Sequence, residues 1–424
     1  MPPERFYDVA VIGAGPAGLA AAVAASDAGA RVTLVEREER PGGILKQCVH
    51  DGFGLIRFGE KLSGPEYAYR YLRLAAEREL PILTQTFLLA LERDAEGYRL
   101  RLQNSRQGVF ELCAAAVVWA AGCRERTARQ VFIHGDRPAG IFTAGMVQYM
   151  VNVQGYLPTR RCIILGSGDI GLIMARRLTL EGARVLGVFE IKPEPSGLMR
   201  NVVQCLHDFN IPLHLSSTVT RVHGPKRVEG VTVAAVDERL QPIPGTERTI
   251  ACDALILSVG LIPENDLIES SGLPLDPRTG GPIVDQNLMS CREGLFCCGN
   301  ALHVNDLVDY VSESGETAGR AAAAYVFTGR RQRELIAVKA GANLLSLVPQ
   351  QLDRKSGGAV TFYFRSAHTL KNALLTISAG GQILKQKKYL VLRPPEMQRL
   401  VFEQAAIPHN AAELAFAITG GGGE

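Results

Sequence analysis

The chain has 424 residues, with 46 basic against 43 acidic side chains and a hydrophobic fraction of 46%. That length exceeds one ordinary core and calls for two or three domains, and the near balance of charge, without a basic block, gives no footprint for nucleic acid. No apolar run reaches membrane-spanning length, and nine cysteines, an odd number spread along the chain, fit a reducing cytoplasm better than a disulfide framework.

Met1-Pro2-Pro3-Glu4-Arg5 leads into the first strand without a signal-peptide core. Val9 to Ile12 reads as a buried strand and Leu19 to Ala28 as a helix that Gly29 ends. Between them lies Gly13-Ala14-Gly15-Pro16-Ala17-Gly18, a G-x-G-x-x-G turn. Gly13 permits the tight turn, Gly15 lets a pyrophosphate approach the backbone, and Gly18 lets helix and strand pack closely. The phosphate charge then faces a helix N-terminus. The next strand, Arg31 to Val35, ends at Glu36, where a carboxylate can hold ribose hydroxyls.

The loop Pro41-Gly42-Gly43-Ile44-Leu45-Lys46-Gln47-Cys48-Val49-His50 follows where the far end of a dinucleotide would lie, so Gly43 and Ile44 are candidates for flavin contact. Cys48 is either a redox thiol or a packing residue, and His50 either a base or a hydrogen-bonding residue. Gly64-Pro65-Glu66-Tyr67 opens an amphipathic helix to about Glu79, and strands continue to residue 112. Val117-Val118-Trp119-Ala120-Ala121-Gly122 is a buried strand ending in small residues. Such an ending suits a chain passing beneath a dinucleotide, with Ala121 and Gly122 closest and Trp119 in the core.

Residues 124 to 156 read as a crossover into a second unit. Arg161 to Leu165 then leads into Gly166-Ser167-Gly168-Asp169-Ile170-Gly171, a second complete turn followed by a helix through Leu180. Its next strand ends at Glu190, an acid that would repel a 2′-phosphate and so favours NAD over NADP, although Lys192 stands close by. Two dinucleotide sites imply two cofactors, FAD and NAD(H) as the natural pair. A further buried strand ends at Gly260, before Leu261-Ile262-Pro263-Glu264-Asn265. Gly294 to Asn300 forms a short strand and turn, and Asp306 to Tyr325 a helix with small residues at its centre.

These pieces resemble the two-dinucleotide-domain flavoproteins of the glutathione and thioredoxin reductase family. In that family the piece matching Gly294 to Asn300 returns to the FAD domain, and an acid after its glycine contacts the flavin ribityl and phosphate region. Here Asn300 follows Gly299 and carries no charge. The resemblance also implies that the next helix presents Tyr310, Val311 and Ser312 to the flavin. Neither C-x-x-C nor C-x4-C occurs where the reductases need it, and Cys297-Cys298 reads as a buried packing pair.

A narrower resemblance rests on Gly43 to His50, Gly64 to Tyr67, Gly166 to Gly171, Ser258 to Asn265 and His303 to Asp309. These are similar to flavoproteins that accompany glycerol-3-phosphate-dehydrogenase-like subunits, related to the alpha subunits of amine dehydrogenases and sarcosine oxidase and to hydrogen cyanide synthase subunits. That implies electron transfer with a second dehydrogenase subunit, glycerol-3-phosphate-dehydrogenase-like or amine-dehydrogenase-like, with a small redox protein as a further partner. Residues 331 to 424 differ in kind: the alternation at Val360 to Phe364 and the turn at Gly380-Gly381 indicate a small all-β domain.

The expected architecture is α/β, with two Rossmann-like dinucleotide-binding domains, the second inserted in the first, and a C-terminal all-β domain. The boundaries are 1–125 with 290–330 for FAD, 126–289 for NAD(H) and 331–424 for the β domain, which is the expected partner-docking surface. Gly420 to Gly423 is expected to be unstructured, and no metal site is expected. The alternatives are a single-cysteine NADH oxidase or peroxidase using Cys48, a flavin protein whose second site holds a structural adenine nucleotide, and a flavin-free scaffold.

Overall fold

The computed structural model describes residues 5–329 and 332–422. Its α-helices are α1 (Pro16–Asp27), α2 (Gly64–Glu77), α3 (Ala144–Asn152), α4 (Asp169–Leu180), α5 (Met199–Cys205), α6 (Asp266–Ser270) and α7 (Val308–Thr328) among the described residues. The chain divides into two compact units, 1–123 with 263–424, and 124–262. The second is inserted in the first, as expected.

In the first unit the apolar strands Val32–Val35, Arg5–Ile12 and Gly108–Trp119 lie side by side and parallel, with Val9 opposite Val32 and Ile12 opposite both Val35 and Trp119. The short strand Leu295–Cys297 joins the same sheet, with Cys297 opposite Trp119. Strands of this kind are covered on both faces, which is why they read as continuous apolar runs. α1 is rich in alanine because it is enclosed: every residue from Ala17 to Ala25 is buried. Its cover is α7, whose Gly315 and Gly319 stand one turn apart on the face toward Ala17 and Ala21.

The inserted unit holds a parallel sheet in the order Ile141–Thr143, Ala254–Leu257, Arg161–Leu165, Arg184–Phe189, Leu213–His214. A second, four-stranded sheet includes Ser217–His223, Gly230–Ala235 and Arg248–Ala251. This unit closes at Ile262, not near residue 289. Past the strand Leu261–Pro263, residues 264–289 carry the short α6 and isolated bridges such as Leu275 to Pro282 and Val284 to Ser290, so their affiliation leaves no periodic signal. Their partners are distant in sequence: Gln286 donates to the Asp353 carbonyl at 2.8 Å and accepts from its N–H at 2.8 Å.

The C-terminal part is a β-sandwich of five and three strands around Phe362, Phe364, Phe416 and Ile377, with the Phe362 and Phe416 rings 4.7 Å apart. It belongs to the first unit and is bound into it. Val348 packs into the main core, and Arg333 forms a buried ion pair with Asp285 at 2.9 Å. The expected unstructured glycines are instead ordered: Gly420 to Gly422 continue the strand Glu413–Gly422, where Gly421 and Gly422 pair with Lys371 and Leu370. Pairing with a long neighbouring strand overrides the low strand propensity of glycine. Gly423 lies outside the described residues.

Candidate functional site

The first glycine turn is built by backbone approaches that only glycine allows. Gly13 has φ +100°, and a Cβ there would come within 2.4 Å of the Ala120 carbonyl oxygen. At Gly18 a Cβ would meet the Gly13 carbonyl at 1.8 Å. The turn thus presses against the end of the strand that leads to Ala121 and Gly122. Gly122 itself has φ +75° and open space before its Cα, as a cradle for a ligand requires. Gly15 precedes α1 with Pro16 in the first turn, and no side chain caps the helix, leaving its start to an anion.

Glu36 is buried at the end of its strand. One carboxylate oxygen accepts the Ala14 N–H and the other the Glu38 N–H, each at 2.8 Å. The acid is therefore aimed at the turn by backbone donors. The following loop closes over the same place: the Gly42 N–H donates to the Ala14 carbonyl at 2.8 Å, and a Cβ on Gly43 would sit 2.9 Å from the Gly15 Cα. Ile44, next along, is 54% exposed. Gly42, to which the sequence pattern assigns no role, places that N–H through its left-handed φ of +114°.

α7 begins beside this turn. A Cβ on Gly299 would meet the Ala17 Cβ at 2.7 Å and the Val311 side chain at 3.4 Å, so the returning strand, α1 and α7 converge there. Ser312 is fully buried and its hydroxyl accepts from Tyr67 at 2.8 Å, while Tyr310 packs against Tyr363 with ring centroids 5.5 Å apart. The amides of Tyr310 and Val311 bond back to the Leu307 carbonyl. Asn300 is held by neighbours: its oxygen accepts the Asn305 N–H at 3.0 Å and its amide nitrogen reaches the Cys123 sulfur at 3.6 Å. The side chains of Tyr310, Ser312 and Asn300 therefore have protein partners.

Cys48 donates to the Ile44 carbonyl at 3.4 Å, and its Cβ and carbonyl oxygen abut Gly64. Burial pushes its pKa up to about 12, which keeps it a thiol at neutral pH. All nine cysteines are free, and burial pushes Cys298 up to about 12 as well. The His50 ring lies 4.9 Å from that of Phe53.

The inserted unit repeats the construction with different side chains. Gly166 has φ +96°, and a Cβ there would come within 2.1 Å of the Ser258 carbonyl; a Cβ on Gly171 would meet the Gly166 carbonyl at 2.7 Å. Gly168 caps α4 without a side-chain partner. Glu190 is 3% exposed; one oxygen accepts from the Ser167 N–H at 2.9 Å and the Ser167 hydroxyl at 2.6 Å, the other from the Lys192 N–H at 3.1 Å. Asp169 holds the loop before α5, accepting from the Leu198 N–H at 2.9 Å and the Asn201 amide at 2.7 Å. Ile170 is half-buried against the α4 core, and the Gly260 carbonyl accepts the Arg126 N–H at 3.0 Å.

Two glycine turns, each with an acid fixed at the next strand end, define a protein with two dinucleotide-binding domains. Residues 7–329 match the pyridine nucleotide-disulphide oxidoreductase family, and the chain belongs to it. Membership of this family implies FAD and NAD(P)H as cofactors. An opine oxidase subunit from Agrobacterium tumefaciens is 26% identical over 341 residues, 75% of this chain and 65% of that protein. Hydrogen cyanide synthase subunit HcnB of Pseudomonas protegens is 28% identical over 284 residues, 62% of this chain and 58% of that one. The chain therefore spans less than two thirds of the length of these relatives. Its fold is similar to the crystal structure of T. acidophilum thioredoxin reductase, with TM-score 0.63 at 22% identity, covering 76% of this chain and all of that one. No helix among the described residues is long and apolar enough to cross a membrane.

Proposed function

We propose that the chain passes hydride between NADH, held at Gly166 to Glu190, and FAD, held at Gly13 to Glu36, and exchanges electrons with a second subunit of a dehydrogenase complex. The observation that carries this reading is the pair of turns, each complete with its own buried acid, in a chain whose cysteines are all free. When bound, the flavin supplies the hydride and electron chemistry. The chain's own residues bind and orient. Gly15 and the uncapped start of α1 face the pyrophosphate, Glu36 the ribose of FAD, Gly122 and Gly43 give the dinucleotide room, and Glu190 faces the ribose of NADH.

A dithiol relay has no support, since none of the nine cysteines is in a disulfide and burial holds Cys48 as a thiol. Electrons from a reduced flavin then need another acceptor, and two relatives are named as subunits of an oxidase and a synthase. A partner resembling a glycerol-3-phosphate or amine dehydrogenase suits this role. Nine cysteines outside any disulfide support a reducing compartment such as the cytoplasm.

The deciding experiment is the visible spectrum of the protein purified from its native host, before and after anaerobic NADH. A flavin spectrum that bleaches with NADH, together with a co-purifying dehydrogenase partner, is the expected result. A flavin that NADH leaves oxidised would end the hydride reading, and full turnover by the isolated chain would end the partner reading.

A further inference from the structure

The first turns of α7 and the loop before them carry Asp306, Asp309, Glu313 and Glu316, an unusual load of negative charge for a helix start beside a phosphate-binding turn. The positive end of a helix dipole favours an anionic ligand, and carboxylates placed there cancel that field. Three of the four are ion-paired with arginines, and two of those arginines come from the C-terminal sandwich. Arg399 grips Glu313 with two bonds, at 2.6 and 3.1 Å, while the Tyr363 hydroxyl donates to the same carboxylate. Arg365 pairs with Asp306 and also donates to the Val304 carbonyl at 3.1 Å. Arg57, from the loop before α2, pairs with Glu316, and its backbone N–H donates to Asp309 at 3.0 Å.

The opposite face of the same two turns packs on the FAD site. Gly315 lies against the Ala17 carbonyl and Val311 against Gly299. Glu313 is thus separated from the glycine turn by about one helix diameter, roughly 10 Å. That is about one Debye length at ordinary ionic strength, and the intervening medium is packed protein, which screens less than water. A charge uncovered at Glu313 would act on the bound dinucleotide.

We propose that Arg399 and Arg365, with Tyr363, make the C-terminal sandwich a positioning and charge-compensating element that sets the reduction potential of the FAD bound in the first unit. The inference rests on the reading of Gly13 to Glu36 as the FAD site. Neutralising the carboxylates leaves the start of α7 free to stabilise the extra negative charge that reduction brings. Without Arg399, the Glu313 charge opposes reduction.

The test is dye-equilibrated redox titration of the full-length flavoprotein. Arg399→Gln should lower the midpoint potential by about 30 mV, a tenfold change in a two-electron equilibrium. The double variant Glu313→Gln/Arg399→Gln should return it to the native value. Glu313→Gln alone, which leaves Arg399 in excess, should raise it, and this variant serves if Arg399→Gln does not fold. Flavin bound with an unchanged potential in Arg399→Gln, or in Glu313→Gln where that variant is the one measured, overturns the proposal. So does a double variant that stays as low as Arg399→Gln. A native chain purified without flavin would instead overturn the reading on which the inference rests, so the two failures are distinct.

Discussion

Gly315 of α7 lies so close to Ala17 of α1 that a Cβ at 315 would come within 2.2 Å of the Ala17 carbonyl oxygen. In an exposed helix, glycine to alanine gains about 1 kcal/mol of propensity. Here the obstacle is backbone, which cannot rotate away, and overpacking of this kind costs about 1–3 kcal/mol. Gly315→Ala should therefore lower the melting temperature of the FAD-loaded protein and weaken FAD retention on dilution. An unchanged melting temperature would mean that the two helices part without cost.

Both glycine turns were legible in the sequence because everything that makes them lies within about twenty-five residues: strand, turn, helix, strand, acid. Glu36 and Glu190 needed only the next strand end to be located. The ion pairs that fasten the sandwich were not legible. Arg365 and Asp306 are 59 residues apart, and Arg399 and Glu313 are 86 apart, on elements whose own patterns are complete without each other. The same holds for residues 263–289, whose place in the first unit is fixed by Gln286 and Asp285 through residues 353 and 333. The sandwich that the sequence offers as a partner-docking surface is also bound into the first unit. Its removal would strip two arginines from α7 and a third from a buried carboxylate.

The third arginine gives a direct test. Asp285 is fully buried and Arg333 nearly so. Burial raises the Asp285 pKa above the usual value, and Arg333 only partly offsets this. Arg333→Met leaves that carboxylate without its cation and should cost about 3–5 kcal/mol in urea unfolding. Adding Asp285→Asn should recover much of the loss, because an amide is far cheaper to bury. A double variant no more stable than the single one would show that Arg333 acts through its carbonyl bonds to Met289 and Ser290 instead.

His303 sits beside Tyr363 with ring centroids 5.6 Å apart. Burial, and secondarily the Arg365 charge, lowers its pKa from 6.5 to about 3. The unfolded chain therefore takes up a proton below pH 6.5 that the folded chain refuses. This group's contribution is fully present above 6.5 and is lost as pH falls toward 3, at about 1.4 kcal/mol per pH unit. His303→Gln should flatten the stability profile between pH 6.5 and 4.5, measured by urea unfolding at each pH. A profile as steep as that of the native protein would place the acid lability elsewhere.

The cofactor preference turns on Glu190. Its carboxylate is fixed by Ser167 and the Lys192 N–H, so it cannot swing away from a 2′-phosphate on the adenosine ribose without abandoning three hydrogen bonds. Two negative charges held together in a partly desolvated site repel strongly, and NADH should be preferred over NADPH. Removing the charge while keeping an acceptor for Ser167 isolates this effect. Glu190→Gln should therefore raise kcat/KM for NADPH relative to NADH by about tenfold, the factor that corresponds to 1.4 kcal/mol. It should do so without the loss of folding that an alanine, orphaning the Ser167 N–H and hydroxyl, would bring. Lys192 stands two residues away, and with Glu190 neutral its ammonium becomes available to the phosphate. Lys192→Gln in the Glu190→Gln background should then take part of the gain back. Steady-state rates with both cofactors on the three proteins decide it, and equal efficiency with NADH and NADPH in the native chain would remove the role assigned to Glu190.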